Sequence, residues 1–528
     1  MKISVLIKIA VLASLPAGAV QASWMSAPPK PVEQPWKSGA ATVTLSQDGT
    51  LRVSGKGAME DYDPEWPVTT HWYNAVWHGT AQSITAVVIE EGVTHIGNSA
   101  FRYCESLTSV TIPKSVASIG KGAFNSCYGL KSITVAADNA HYASENGILF
   151  NKSKTDLIQY PSKIQGPYII PHGVTRIRNS AFYHCKSLTS VAIPNTVTSI
   201  GNSAFDECDS LTSVTIGDGV TSIGDEAFRA TGLTSVTIPN GVTSIGSAAF
   251  IWCHSLTSIT IPNSVTFIGG SAFAGCNGLK SITLPSGLTS IEDGVFSKCT
   301  GLTSITLPDG VTSIGDVAFN NCTGLKSIVI PNGVTSIGDM AFSDCRRLTS
   351  VTIGNTVTSI GESAFEGCRR LTSIALPSGV TSIRKNMFRG CSGLASITVG
   401  GGVTSVESFA FAGCGSLKSI TLPSGVTSIG YMAFRYCGSL TSVTIGSGLA
   451  SIEDLAFESC RSLKYVTIQN PVPPDIKSNT FHRIGYCAVL YVPADAIDAY
   501  NAAYDAARDY WRDFECVKAI ASAPKTAN

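Results

Sequence analysis

VTSIGDVAFNNCTGLKSIVIPNG, residues 311–333, decides the fold, because the next 23 residues, VTSIGDMAFSDCRRLTSVTIGNT (334–356), repeat it almost position for position. The unit recurs 15 times between residues 93 and 470, starting at 93, 116, 174, 197, 220, 242, 265, 288, 311, 334, 357, 380, 403, 426 and 449. Such self-similarity predicts a solenoid, in which each coil meets mainly its neighbours.

Unit positions 1, 4, 8, 9, 12, 15, 18 and 20 are apolar, as in Val311, Ile314, Ala318, Phe319, Cys322, Leu325, Ile328 and Ile330. One coil cannot close a core with so few groups, but stacked coils cover one another. The Leu-x-x-Val-x-Ile segment alternates and is β-branched, which predicts a short strand paired in parallel with that of the next coil. Pro or Gly at position 21 ends it in 13 units. Asn, Asp or Ser at position 6 in ten units, ahead of Ala-Phe, predicts an N-cap and one short helical turn on the opposite side. The fold class expected is therefore a strand-dominated α/β repeat solenoid of about 15 coils, capped at both ends.

Of 528 residues, 14% are charged and the charges cancel. No global field draws the chain to nucleic acid or an anionic membrane. Lys2 and Lys8, the apolar residues 9–15 and small residues up to Ala22 read as a signal peptide cleaved after Ala22. No Cys precedes Cys104 and no later run of 18 apolar residues exists, so a soluble, secreted or surface-exposed chain is expected, with no visible anchor. The domain boundaries expected are signal peptide 1–22, Pro-rich linker 23–35, N-terminal cap 36–92, solenoid 93–470 with an insertion at about 136–173, and C-terminal cap and tail 471–528.

VTSIGxxAFxxCxxLTSVTIPxG resembles the BspA-like leucine-rich repeats of bacterial surface proteins. The resemblance covers nearly the whole mature chain and implies a leucine-rich-repeat horseshoe. It further implies a surface protein that attaches to host matrix proteins such as fibronectin, or to other cells. GTLRVSGKGAMEDYDPEW looks like the family's N-terminal cap, and NPVPPDIKSNTFHR with the following residues like its C-terminal cap. The 35 extra residues after the second unit resemble the family's hairpin insertion, with GILF and DLIQY as strands and residues 151–155 as the turn.

Fourteen of the 16 Cys fall at position 12, from Cys104 to Cys460. Side chains so stacked are parallel, which is poor disulfide geometry, so buried free thiols are expected. Cys487 and Cys516 lie outside this ladder, and their pairing stays open. No Cys-x-x-Cys, H-E-x-x-H, Walker or G-x-S-x-G pattern occurs, so no catalytic residue, metal or cofactor is expected. Outward strand positions 17 and 19 hold 14 Ser and 12 Thr. That stripe is either a solvated sheet face or a hydrogen-bonding one.

Positions 10, 11, 13 and 14 carry the variation. There Arg346, Arg347, Arg369 and Arg370 stack in adjacent coils, with Asp344 and Glu366 beside them. The cluster is either a screened surface or a contact for an anionic glycan. Trp66, Trp72 and Trp77 in the N-terminal cap either close the first coil or stack on carbohydrate. The reading reached is a non-enzymatic adhesion scaffold whose partner is an extracellular protein or glycan. A self-assembling structural protein, or a carbohydrate-active protein with a site in a cap, is the alternative.

Overall fold

The computed structural model describes residues 35–62, 75–506 and 514–520. The proposed signal peptide, nearly all of the linker and the last eight residues of the tail lie outside them. The chain forms two compact units, residues 1–141 and 142–528. Both are β-solenoids, with about 18 turns of roughly 23 residues between them.

Most coils contribute two short strands; in the coils at 265 and 288 the one at positions 17–20 is reduced to a single bridge, Thr283 to Thr306. The expected one spans positions 17–20, as in Ser327–Ile330 paired in register with Ser350–Ile353. A second, of two residues at positions 3 and 4, pairs the same way, as in Ser313–Ile314 with Ser336–Ile337. The turns outnumber the 15 repeats because segments without the motif continue the rows. In the first unit Thr50–Gly55 pairs in parallel with Ala86–Ile89, and that strand with Ser109–Ile112. In the second, Ala488–Val492 pairs with Tyr465–Ile468 and then with Phe514–Ala519. The insertion opens the second unit as three antiparallel strands, Tyr142–Glu145, Ile148–Asn151 and Asp156–Gln159.

The expected helical turn does not form in the described coils. Positions 7 and 11 instead adopt left-handed φ, as at Val317 (51°) and Asn321 (58°), or Met340 (52°) and Asp344 (56°). Two left-handed residues four apart interrupt a helical ladder and give a run of tight turns. Their N–H groups point along the stack, so Val317 N–H donates to Asp339 O and Asn321 N–H to Ser343 O, 2.8 and 2.7 Å. The position 6 side chain is correspondingly not an N-cap. Asp293 Oδ1 accepts the N–H of Asp316, Asp316 Oδ1 that of Asp339, and Asp339 Oδ1 that of Glu362, at 2.7–2.8 Å. Asn179 and Asn202 do the same one coil onward. The Gly at position 5 follows from this packing: a Cβ on Gly315 would lie 2.4 Å from Asp293 Oδ1.

The core is a set of columns. Phenylalanine rings from Phe182 to Phe481 stack at 4.6–5.9 Å with interplanar angles of 2–19°. Tyr160 closes one end at 4.7 Å and Phe514 the other, edge-on at 4.8 Å. The ladder cysteines are buried and free. Their thiols donate to the Phe carbonyl of the preceding coil, as from Cys322 to Phe296 O and from Cys345 to Phe319 O, 3.0 and 3.2 Å. Threonine hydroxyls at positions 2 and 16 also reach back one coil, as from Thr335 to Thr312 O and Thr349 to Lys326 O.

Candidate functional site

The basic edge is built by the position 11 turn. Left-handed Asp344 ends the turn run, and Arg346 and Arg347 follow the buried Cys345 before the chain re-enters the core at Leu348. Arg369 and Arg370 repeat this one coil on, about 4.8 Å away along the stack. All four are exposed. Arg346 Nε pairs with Asp344 Oδ1 at 3.1 Å, and Glu366 is taken by Arg389 at 3.7 Å. The neighbouring acids are thereby used, and among the described residues Arg347, Arg369 and Arg370 have no ion pair.

Of the two roles open to Trp77, closing the first coil or stacking on carbohydrate, its surroundings are those of the first. It is 1% exposed and packs on Phe101 at 6.2 Å, Tyr62 at 5.7 Å and Trp36 at 6.5 Å. Covering the end of a phenylalanine column removes it from any ligand. Trp66 and Trp72 lie outside the described residues.

A charged brace that sequence reasoning missed spans the coils at 174, 197 and 220. Asp206 is buried, and both its oxygens accept from Arg229 Nη1 at 2.8 and 2.9 Å. Arg229 also meets Glu207 at 3.3 Å and lies over the Trp252 ring at 5.0 Å, while Glu207 bonds His184 Nδ1 at 2.8 Å. Burial pushes the Asp206 carboxyl up to about 7 against the pull of Arg229, and the bond to His184 lowers that of Glu207. Each charge is answered by another, which suits a tie between coils better than a reacting centre. The sequence signal was the 22-residue unit at 220, where Thr231 replaces the ladder Cys and its hydroxyl contacts Phe228 O and Cys253 Sγ.

Cys487 and Cys516 are both free, the first exposed and the second half-buried. Strand register sets Cys516 opposite Val489 rather than Cys487. Among the described residues no group of three or more His, Cys, Asp or Glu is arranged to hold a metal ion, and no helix is long and apolar enough to cross a membrane.

The family described as "BspA type Leucine rich repeat region" matches in six copies, over residues 74–169, 166–277, 243–371 and 358–488. A leucine-rich repeat protein from Bacteroides ovatus is 26% identical, with a TM-score of 0.56 over 91% of this chain and 98% of that one. A leucine rich cell surface protein from Faecalibacterium prausnitzii is 28% identical, with a TM-score of 0.36 over 78% of this chain and 95% of that one. No curated protein matches the chain.

Proposed function

Since the chain belongs to the BspA-type leucine-rich-repeat family, we propose that it is an exported, non-enzymatic scaffold that binds an extracellular macromolecule, protein or glycan, along the turn edge of its coils. The observation that carries this reading is the row of unpaired guanidiniums at Arg347, Arg369 and Arg370, set on consecutive coils and flanked by acids already engaged. Desolvating such groups against carboxylates or sulfates gives bidentate contacts that lysines would not make. Contacts on an edge that repeats every coil add by multivalency, so each is weak and the sum is not. The strand face supports this assignment by contrast: its outward residues hardly vary from coil to coil, whereas discrimination needs side chains that differ.

The test is capture of matrix proteins, mucins and glycans by the purified mature protein. Charge reversal at Arg346, Arg347, Arg369 and Arg370 together should weaken capture modestly and mainly at low salt, since the Debye length is about 8 Å at physiological ionic strength. Loss of all capture by that change, with folding intact, would point to one discrete site instead of a distributed edge.

A further inference from the structure

The outward face of the position 17–20 strand row keeps Ser at position 17 in every repeat, and Thr at position 19 in all but those with Ala192, Val329 and Ala375, until its last three strands. Ser442 and Thr444 still carry the repeat's two hydroxyls. Register continues these places in two files, Ser442 to Tyr465 to Val489 to Cys516, and Thr444 to Thr467 to Tyr491 to Lys518. Tyr465 is the single exception to Ser at position 17 in the 15 repeats. The hydroxyl stripe therefore gives way, over three strands, to aromatic, apolar and cationic side chains.

With Lys464, Tyr486 and Cys487, four of these residues line an open depression of about 550 Å³. Val489 and Tyr491 form its buried floor at 8% and 5% exposure, whereas Tyr486 is 98% exposed. The Tyr465 and Tyr491 rings lie 6.3 Å apart at 49°. Lys464 and Lys518 are exposed, and among the described residues neither ammonium has an ion pair or hydrogen bond. Among the described residues the lining contains no acid.

We propose that this depression binds a short acidic glycan, two or three sugar rings bearing carboxylate or sulfate. Its volume falls in the range that holds small ligands, roughly 300–1,000 Å³. Of the three tyrosines, the half-buried Tyr465 and the exposed Tyr486 can offer flat apolar faces to the C–H face of a pyranose while their hydroxyls reach its polar rim. Two unanswered ammonium groups supply the preference for negative charge. An acidic peptide would also satisfy the lysines and has the outer edge of Phe514–Ala519 to pair with, but that strand gives the lining only Lys518, whereas the Tyr465–Ile468 and Ala488–Val492 strands beneath the depression are paired on both sides and offer a peptide no free main-chain partner. The site is distinct from the arginine edge, so failure of either leaves the other standing.

The full mature protein is titrated calorimetrically with 3′-sialyllactose, a sulfated lactose, lactose and hexaglutamate. Both acidic sugars should bind, lactose at least about fivefold more weakly, and hexaglutamate not at all. Because Cys487 lines the depression, bound sugar should slow its alkylation. Lys464→Gln with Lys518→Gln should lower affinity for the acidic sugars by up to about fivefold per lysine and leave lactose unaffected. Tyr465→Ser, which restores the repeat's own residue, should weaken every sugar while the ladder thiols stay shielded. The proposal is overturned if no sugar binds, if lactose matches 3′-sialyllactose, if hexaglutamate binds best, or if the Lys and Tyr changes leave acidic-sugar affinity unaltered.

Discussion

Phe342→Ala tests whether each coil is held by its neighbours. Phe342 is fully buried, with Phe319 at 5.2 Å and 2° on one side and Phe365 at 5.5 Å and 5° on the other. Truncation leaves a ring-sized void that rigid columns cannot collapse, at a cost of about 3–5 kcal/mol. Phe342→Leu keeps most of the volume and gives up two ring pairs at about 0.5–1.5 kcal/mol each, hence about 1–3 kcal/mol. A long repeat array does not unfold in one step, so a global midpoint is the wrong measure. Native-state hydrogen exchange resolves the coil itself, through amides such as Phe342 N–H, which donates to Ala364 O at 2.8 Å. The Ala variant should exchange there roughly a hundredfold to a few thousandfold faster. Phe457 N–H, bonded to Thr480 O at 2.8 Å, should be unchanged. Acceleration below about tenfold at Phe342, or equal loosening at Phe457, would refute the nearest-neighbour account.

Three further outcomes follow from the same columns. Under native conditions a thiol reagent should modify Cys487 and, more slowly, Cys516, while the ladder cysteines react only in denaturant, because burial pushes thiols such as Cys345 and Cys391 up to about 12. Mass mapping of labelled peptides checks this. Asp316→Asn should stabilise its coil by up to about 1 kcal/mol at neutral pH. Burial, with Asp293 and Asp339 adding to it, raises the Asp316 carboxyl above its usual 3.8, so its charged form costs stability that returns as pH falls. The gain should therefore vanish below about pH 4 by hydrogen exchange. Deleting residues 265–310, two whole units, should leave a folded protein by circular dichroism and lower edge binding by a step, whereas deleting a non-integral length should not fold.

The core was legible because its residues recur at fixed positions with only one reasonable destination. Phe, Leu, Cys and the alternating strand residues each name a column, and the columns are there. The turn side was misread because Asp or Asn ahead of Ala-Phe is a local pattern shared by an N-cap and by a rung between coils. Local propensity cannot separate them, while the left-handed residues at positions 7 and 11 decide for the rung, and Val317, Met340 and Phe409 give no sequence hint of that conformation. Thr480-Phe481 did hint that the repeat continues past residue 470, since it stands where Ala-Phe would, and Phe481 stacks on Phe457 at 5.2 Å. The arginine edge was visible as paired basic residues one period apart, but which acids neutralise which cations depends on side-chain reach. The depression at the C-terminal end was invisible for another reason. Tyr465, Tyr491 and Lys518 are neighbours only by strand register, separated in sequence by residues that obey no repeat.

The rungs between coils also set how the second unit would respond to being pulled. In each coil turn amides such as those of Val317, Phe319 and Asn321 bond to the coil that follows, so a load applied between the ends of the stack falls on these bonds one coil at a time. Each coil that peels away frees about 23 residues, or close to 80 Å of extended chain at roughly 3.4 Å per residue. The remaining stack keeps its own columns, since the broken end resembles the one it replaced. Stretched in a laser trap, the unit should lengthen in a staircase of equal steps and rewind coil by coil when slackened. Such a body lengthens under drag instead of letting go, a useful property in anything that holds two surfaces together in moving fluid.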